Sequence, residues 1–428
     1  MKGKGFEQGK KYSLTLKDNS VMEGVFVSET SKHVFLKLKS GYNAGFSKEK
    51  IRERKEVGSV KRQEAKLSPA KSVGGKPKIV ILHTGGTIAS KVDYATGAVT
   101  PRFSPEEIIG MYPELSGIAR IESRLVSNIP SDDMNFHHYN LLGREISKAV
   151  KEKGLKGIIL THGTDTLHYT SAALSFALEG LPILVVLVGS QRSSDRPSSD
   201  AALNLLSAAY FIANTKAKGV FVCMHDNVND SACALLKGVN ARKMHSTRRD
   251  AFESVNTKPF AFVDFNREKI DYKEETRSSS ESFSFKPFNE KVSVGIIRSR
   301  PGLTPEELKP YEEFDGLILE GTGLGHFPIG SIDKSTEKNK EILGFIKKFA
   351  SSKAACMTTQ TIHGRVNLNV YSPGRILKEA GVLGHNLDMT TETAYVKLAW
   401  LLSNYDKEKA RKLYHENLRG EISTRSDV

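Results

Sequence analysis

Cysteine is scarce. The 428 residues hold three, at positions 223, 233 and 356, and none forms a close pair. A disulfide framework and a cysteine-based zinc site both need paired spacing, so neither is indicated. Long hydrophobic runs are missing as well. No apolar stretch approaches the ~20 residues that span a bilayer. The basic opening "MKGKGFEQGKK" has no apolar segment of the kind a secretory leader carries. A cytoplasmic location without membrane contact is therefore expected. The length is too great for one core, and two or three domains are expected.

Positive charge is concentrated at one end. Net charge is +14. Residues 1–76 contain eighteen of the 63 Lys and Arg but eight of the 49 Asp and Glu, an excess of ten positive charges. The remaining chain is close to balanced. A basic segment of this kind attracts polyanions through their phosphates. It also serves as a solubilising surface and linker, so charge alone leaves nucleic acid open.

Hydrophobic patterning divides the chain. Over 9–55, "KYSLTL", "VMEGVFVSE" and "KHVFLKL" alternate apolar and polar residues between turns such as "KDNS" and "KSGYN". That period of two predicts a small antiparallel β-barrel of the SH3 or Sm kind over 1–59. A polar linker follows at 60–77. From residue 78, apolar strands ("KIVIL", "GIIL", "PILVVLV", "KGVFVCM") alternate with amphipathic stretches. This is the signature of βαβ units and a mainly parallel sheet, so the fold class is α/β. One α/β domain is expected over 78–265 and a second over 291–415, joined by a polar connector at 266–290. "TPEELKPYEE" is read there as a helix. Residues 416–428 are expected to be a polar, frayed tail.

The chemistry concentrates where strands end. "HTGGTIAS" (83–90) follows "KIVIL". A P-loop needs a lysine after a longer glycine run, and a dinucleotide fingerprint needs a third glycine; both are missing. A structural turn capped by threonines would suffice if the motif stood alone. "THGTDT" (161–166) repeats the design after another buried strand, now with Asp165 beside Thr164. A threonine hydroxyl is nearly inert at neutral pH and needs a base or an orienting network. His83, His162 and His168 lack metal-ligand spacing and read as hydrogen-bonded site or helix-edge residues. Ser190–Gln191 follows a strand end, and either lines the cleft or packs behind it.

Together and in this order, "TGGTIAS" and "THGTDT" resemble the two signatures of the bacterial-type L-asparaginases, over about residues 78–415. Barrel, linker, asparaginase-like two-lobe body and "HGRVNLNVYSPGR" (363–375) resemble the family of archaeal glutamyl-tRNA(Gln) amidotransferase D subunits. The resemblance implies Thr87 as nucleophile, and Thr164, Asp165 and Lys243 as its proton-transfer network. It implies that Tyr94 supports the first threonine, and that Ser131 and Asp132 grip the substrate's carboxylate and amino group. Asp132 stands where the family has glutamine.

The implied reaction is hydrolysis of glutamine, with ammonia passed to a partner amidotransferase chain (the E-type subunit) that carries kinase and transferase activity on Glu-tRNA(Gln). The resemblance further implies a homodimer, assembled with the partner into a heterotetramer. No cofactor is expected in this chain, with ATP and magnesium at the partner. Two rivals stand beside this reading. One is a free-standing asparaginase with an accessory barrel; the other is a tRNA-binding or assembly protein whose amidase site is inactive.

Overall fold

The computed structural model describes residues 6–7, 10–38, 43–59, 75–85, 90–92, 99–101, 110–194, 198–275 and 282–426. The N-terminal unit is a five-stranded antiparallel sheet. Its spatial order is Asn43–Ser47, His33–Leu38, Val21–Glu29, Lys10–Leu16, Ile51–Ser59. Alternate residues point inward, and Tyr12, Leu14, Phe26, Val34, Leu36 and Phe46 form its core. The strand Ile51–Ser59 has no hydrophobic alternation, because residues 52–56 of its sequence "IRERKEVGS" are all charged.

An eight-stranded sheet organises the body. Its order is Lys269–Tyr272, Ala261–Asp264, Cys233–Lys237, Gly219–His225, Leu184–Val188, Leu155–Thr161, Lys78–His83, Arg120–Leu125. The last five are mutually parallel, and the first three add antiparallel at one edge. The α/β class read from the sequence holds. Four of the parallel strands are covered on both faces, which is why they read as apolar runs, whereas Arg120–Leu125 at the edge is half-buried and reads "RIESRL". Ile79, Ile81, Ile159 and Val186 pack under Leu205, Ala208 and Phe211 of the helix Ala201–Asn214. Their neighbours Val80, Leu82, Ile158 and Val185 face the opposite layer, with Leu142 and Ile146 of Phe136–Ala149 and Leu174 of Leu167–Ala177.

Numbered along the chain, the five parallel strands lie in the order 2-1-3-4-5. The order reverses between Lys78–His83 and Leu155–Thr161. Ligand crevices in open α/β sheets form at such a reversal, outside the carboxyl ends of the strands. Here those ends are level, with His83 paired to Thr161 and Thr161 to Val188.

The second lobe has three parallel strands: Val294–Arg298, Gly316–Gly321 and Ala354–Thr359. Its helix Thr391–Asn404 packs back on Leu167–Ala177 of the first lobe. Phe176 and Trp400 meet there with ring centroids 5.8 Å apart.

Three expectations need correction. Lys269–Tyr272, inside the expected connector, is an edge strand of the main sheet, paired with Ala261–Asp264. It escapes a hydrophobic pattern because an edge strand is half solvated. "TPEELKPYEE" forms short 3-10 turns, Pro305–Glu307 and Lys309–Glu313, since Pro310 in mid-segment removes a donor a longer helix needs. Among the described residues, the segment from Glu416 to Ser426 is not frayed. Lys397 and Glu421, both fully buried, pair at 2.6 Å, and Lys397 also donates to the Glu416 carbonyl at 2.6 Å. Arg419 pairs with Glu179 at 2.9 Å, and the Ser423 N–H donates to Asp388 at 3.1 Å.

Candidate active site

The first turn leaves the sheet at Thr84. Its N–H and hydroxyl both donate to the Thr161 carbonyl, at 3.2 and 2.9 Å. Gly85 has φ +102°, and a Cβ there would stand 3.1 Å from the backbone of Ile129. Glycine answers both demands. The mouth of "HTGGT" is thus stitched to the mouth of "THGTDT". Thr87 and Tyr94 lie outside the described residues.

The second turn is built on buried polar groups. His162 is fully buried, with Nδ1 2.6 Å from the Gly163 carbonyl and Nε2 2.8 Å from Thr170 Oγ1. A carbonyl can only accept, so Nδ1 carries the proton and Nε2 accepts from Thr170. Burial pushes the imidazole down to about 4. Gly163 lies against Ser131, whose Oγ would be 2.8 Å from a Cβ at that glycine. Thr166 Oγ1 donates to the Ser131 carbonyl at 2.6 Å. Ser131 is buried, and Asp132, next in the same turn, is exposed.

Lys243 arrives on a two-stranded ribbon, Ala241–Lys243 against Phe252–Ser254, with Lys243 opposite Phe252. Its Nζ donates to Thr164 Oγ1 at 2.9 Å and to Asp165 Oδ1 at 2.7 Å. With Lys243 donating, the Thr164 hydroxyl turns its own proton to Gln191 Oε1, 3.4 Å away. Gln191 belongs to the loop after Leu184–Val188, and the buried Asp200 carboxylate ties that loop down. It accepts from the Gln191 N–H (2.9 Å), the Arg192 N–H (3.0 Å) and Ser190 Oγ (2.9 Å). Gln191 Nε2 is buried without a partner among the described residues.

Of the residues singled out from the sequence, Thr164, Asp165 and Lys243 form one contact group, with Ser131 against the same turn. Two contributors were not found from the sequence alone. Asp200 reads as an ordinary residue before a helix. Glu392 reads as an acid in the first turn of one. Among the described residues, no group of three or more His, Cys, Asp or Glu is disposed to hold a metal ion. No helix among them is long and apolar enough to cross a membrane.

This arrangement has relatives. Residues 78–277 match the family described as "Asparaginase, N-terminal", and residues 293–414 match "Glutaminase/Asparaginase C-terminal domain". The thermostable L-asparaginase from Thermococcus kodakarensis matches with a TM-score of 0.70 and 35% identity, covering 81% of this chain and 99% of that one. The D subunit of glutamyl-tRNA(Gln) amidotransferase from Methanococcus maripaludis is 42% identical, over 96% of each chain. The chain belongs to this D-subunit family. The Pyrococcus furiosus member is 42% identical over 91% of this chain and 87% of its own length. A 96% match takes in most of residues 1–77, whereas the asparaginase-family match begins at 78. The N-terminal antiparallel sheet therefore goes with membership of the D-subunit family.

Proposed function

We propose that the chain is the amide-hydrolysing component of a tRNA-dependent amidotransferase, releasing ammonia from glutamine for the conversion of Glu-tRNA(Gln) to Gln-tRNA(Gln). The observation that carries this reading is the Lys243–Thr164–Asp165 group at the switch point of the sheet, in a chain that matches the amidotransferase D subunits almost end to end. Thr87 attacks the carboxamide carbon, and its hydroxyl proton passes to the leaving ammonia by way of the Thr164–Lys243 pair. Water then cleaves the acyl-enzyme and regenerates Thr87. Backbone N–H groups in the tight turns would stabilise the developing oxyanion; one such donor is worth about 3–4 kcal/mol in other enzymes. Tyr94 supports Thr87, while Ser131 and Asp132 hold the substrate's carboxylate and amino group.

ATP and magnesium act at a partner, the E-type subunit, which carries kinase and transferase activity. The chain forms a homodimer within a heterotetramer and works in the cytoplasm. The test is an ammonia assay with glutamine and asparagine, with and without partner and glutamyl-tRNA. Glutamine hydrolysis coupled to transamidation, abolished by Thr87→Ala, is the expected result. A lone dimer that degrades asparagine faster than glutamine would instead make it a free asparaginase.

A further inference from the structure

We infer that Glu392, from the second lobe, is a positioning residue for the amide-hydrolysing group, holding the Lys243 ribbon against the Thr164–Asp165 turn. This rests on the amidase reading above. Glu392 sits in the first turn of Thr391–Asn404, with its side chain 11% exposed. Its Oε1 accepts from Arg242 Nε at 3.0 Å, and Arg242 immediately precedes Lys243. The same oxygen lies 4.0 Å from His168 Nε2. His168 belongs to the first turn of Leu167–Ala177, the helix that starts just after Thr164 and Asp165. One carboxylate oxygen thus bonds the ribbon and stands beside the helix that follows the turn.

The helix start grips the ribbon at a second point. Thr393 Oγ1 donates to the Val239 carbonyl at 2.8 Å, two residues before the ribbon begins. Thr391 Oγ1 is 3.1 Å from Glu320 Oε1 and 3.0 Å from Thr358 Oγ1, which ties the same turn to the strands of its own lobe.

Stability does not account for Glu392. Its Oε2 and His168 Nδ1 are buried without a partner among the described residues. A buried, incompletely paired carboxylate is a poor stabiliser. What it supplies is a fixed partner for Arg242. Asp165 is 66% exposed, and a guanidinium left uncommitted next to Lys243 would be a rival cation for it. Burial pushes His168 down to about 4; Glu392 opposes that shift, and Arg242 and Lys243 add to it. The four groups therefore share one electrostatic neighbourhood.

The experiment compares Glu392→Ala, Glu392→Gln, Arg242→Gln and the double variant Glu392→Ala/Arg242→Gln, in the full chain with its partner. Glu392→Ala should lower kcat for ammonia release about tenfold or more with KM nearly unchanged, as expected when reacting groups are misplaced. Glu392→Gln, which keeps the acceptor oxygen, should lose less, and the double variant should be no worse than its worse parent. A crystal structure of Glu392→Ala should show Lys243 Nζ withdrawn from Thr164 Oγ1. Wild-type kcat in Glu392→Ala, losses that multiply in the double variant, or an unchanged Lys243–Thr164 contact would each overturn the inference. Should Glu392→Ala not fold, Glu392→Gln carries both the kinetic and the crystallographic comparison. Wild-type protein that releases no ammonia from either amide overturns the amidase reading instead, and the crystallographic contact still decides the role of Glu392.

Discussion

Lys243 Nζ lies 2.7 Å from Asp165 Oδ1, although 78 positions separate them in the chain. The pair is lopsided: the lysine side chain is 10% exposed and the aspartate 66%. Solvent weakens an ion pair of this kind, so its contribution to stability is small. Its effect is directional. It spends one donor of the ammonium on Asp165 and leaves another aimed at Thr164.

Replacing that donor removes the ammonium proposed to pass the proton, without opening a core. Lys243→Met should lower kcat for ammonia release by about 100-fold or more, the scale of general acid–base catalysis. Thermal unfolding should move little. Steady-state ammonia release and a melting curve check both. A variant with kcat near wild type would take Lys243 out of the reaction.

Gly189 tests the placement of Thr164. A Cβ there would stand 2.7 Å from Thr164 Cγ2 and 3.2 Å from Leu167 Cδ1. Gly189→Ala must push the threonine off its position, and overpacking of this kind costs about 1–3 kcal/mol. We expect a clear fall in kcat from a substitution that adds one methyl group and touches no charge. Activity equal to wild type would mean that Thr164 tolerates displacement.

Two buried histidines predict acid lability. Burial holds both His162 and His168 at about 4 in the folded chain, below the ordinary value of 6.5. As pH falls from about 6.5 towards 4, the unfolded chain takes up protons that the folded chain refuses, so stability falls across that window. Each histidine contributes on the order of 3 kcal/mol when the window has been crossed. Urea midpoints should therefore drop between pH 7.5 and pH 5, and His168→Asn should flatten the slope. A midpoint that rises on acidification would contradict this.

The N-terminal segment makes a separate prediction. Deleting residues 1–76 removes the ten-charge excess and leaves the eight-stranded sheet intact. Basal glutamine hydrolysis should survive, while tRNA-dependent transamidation should weaken and lose part of its salt dependence. Kinetics of both reactions at two salt concentrations check it. Unchanged transamidation would make the basic excess incidental.

Legibility followed burial. The runs "KIVIL" and "PILVVLV" announce strands because both faces are covered, and nothing but branched apolar residues fits there. Ile51–Ser59 and Lys269–Tyr272 are edge strands held by backbone pairing, and their side chains carry little record of it. The glycine–threonine turns could be read because each needs a close backbone approach. Lys243 could be named only through a family resemblance, since a lysine in a charged stretch has no local signal. Glu392 and Asp200 were not readable at all. Glu392 acts across a long sequence gap and Asp200 on a loop just before it, and each has a sufficient local explanation at the start of a helix.

The buried Lys397–Glu421 pair carries a consequence for biosynthesis. Lys397 stands on the same helix as Glu392, and its ammonium has no route to water. A nascent chain emerging from the ribosome folds from its N-terminal end, and Lys397 meets its carboxylate partner only when Glu421 arrives. Premature termination before that codon would leave Lys397 either deprotonated or drawn out to water, at a cost in stability that the cell's proteases would meet as an unfinished protein rather than a weak enzyme.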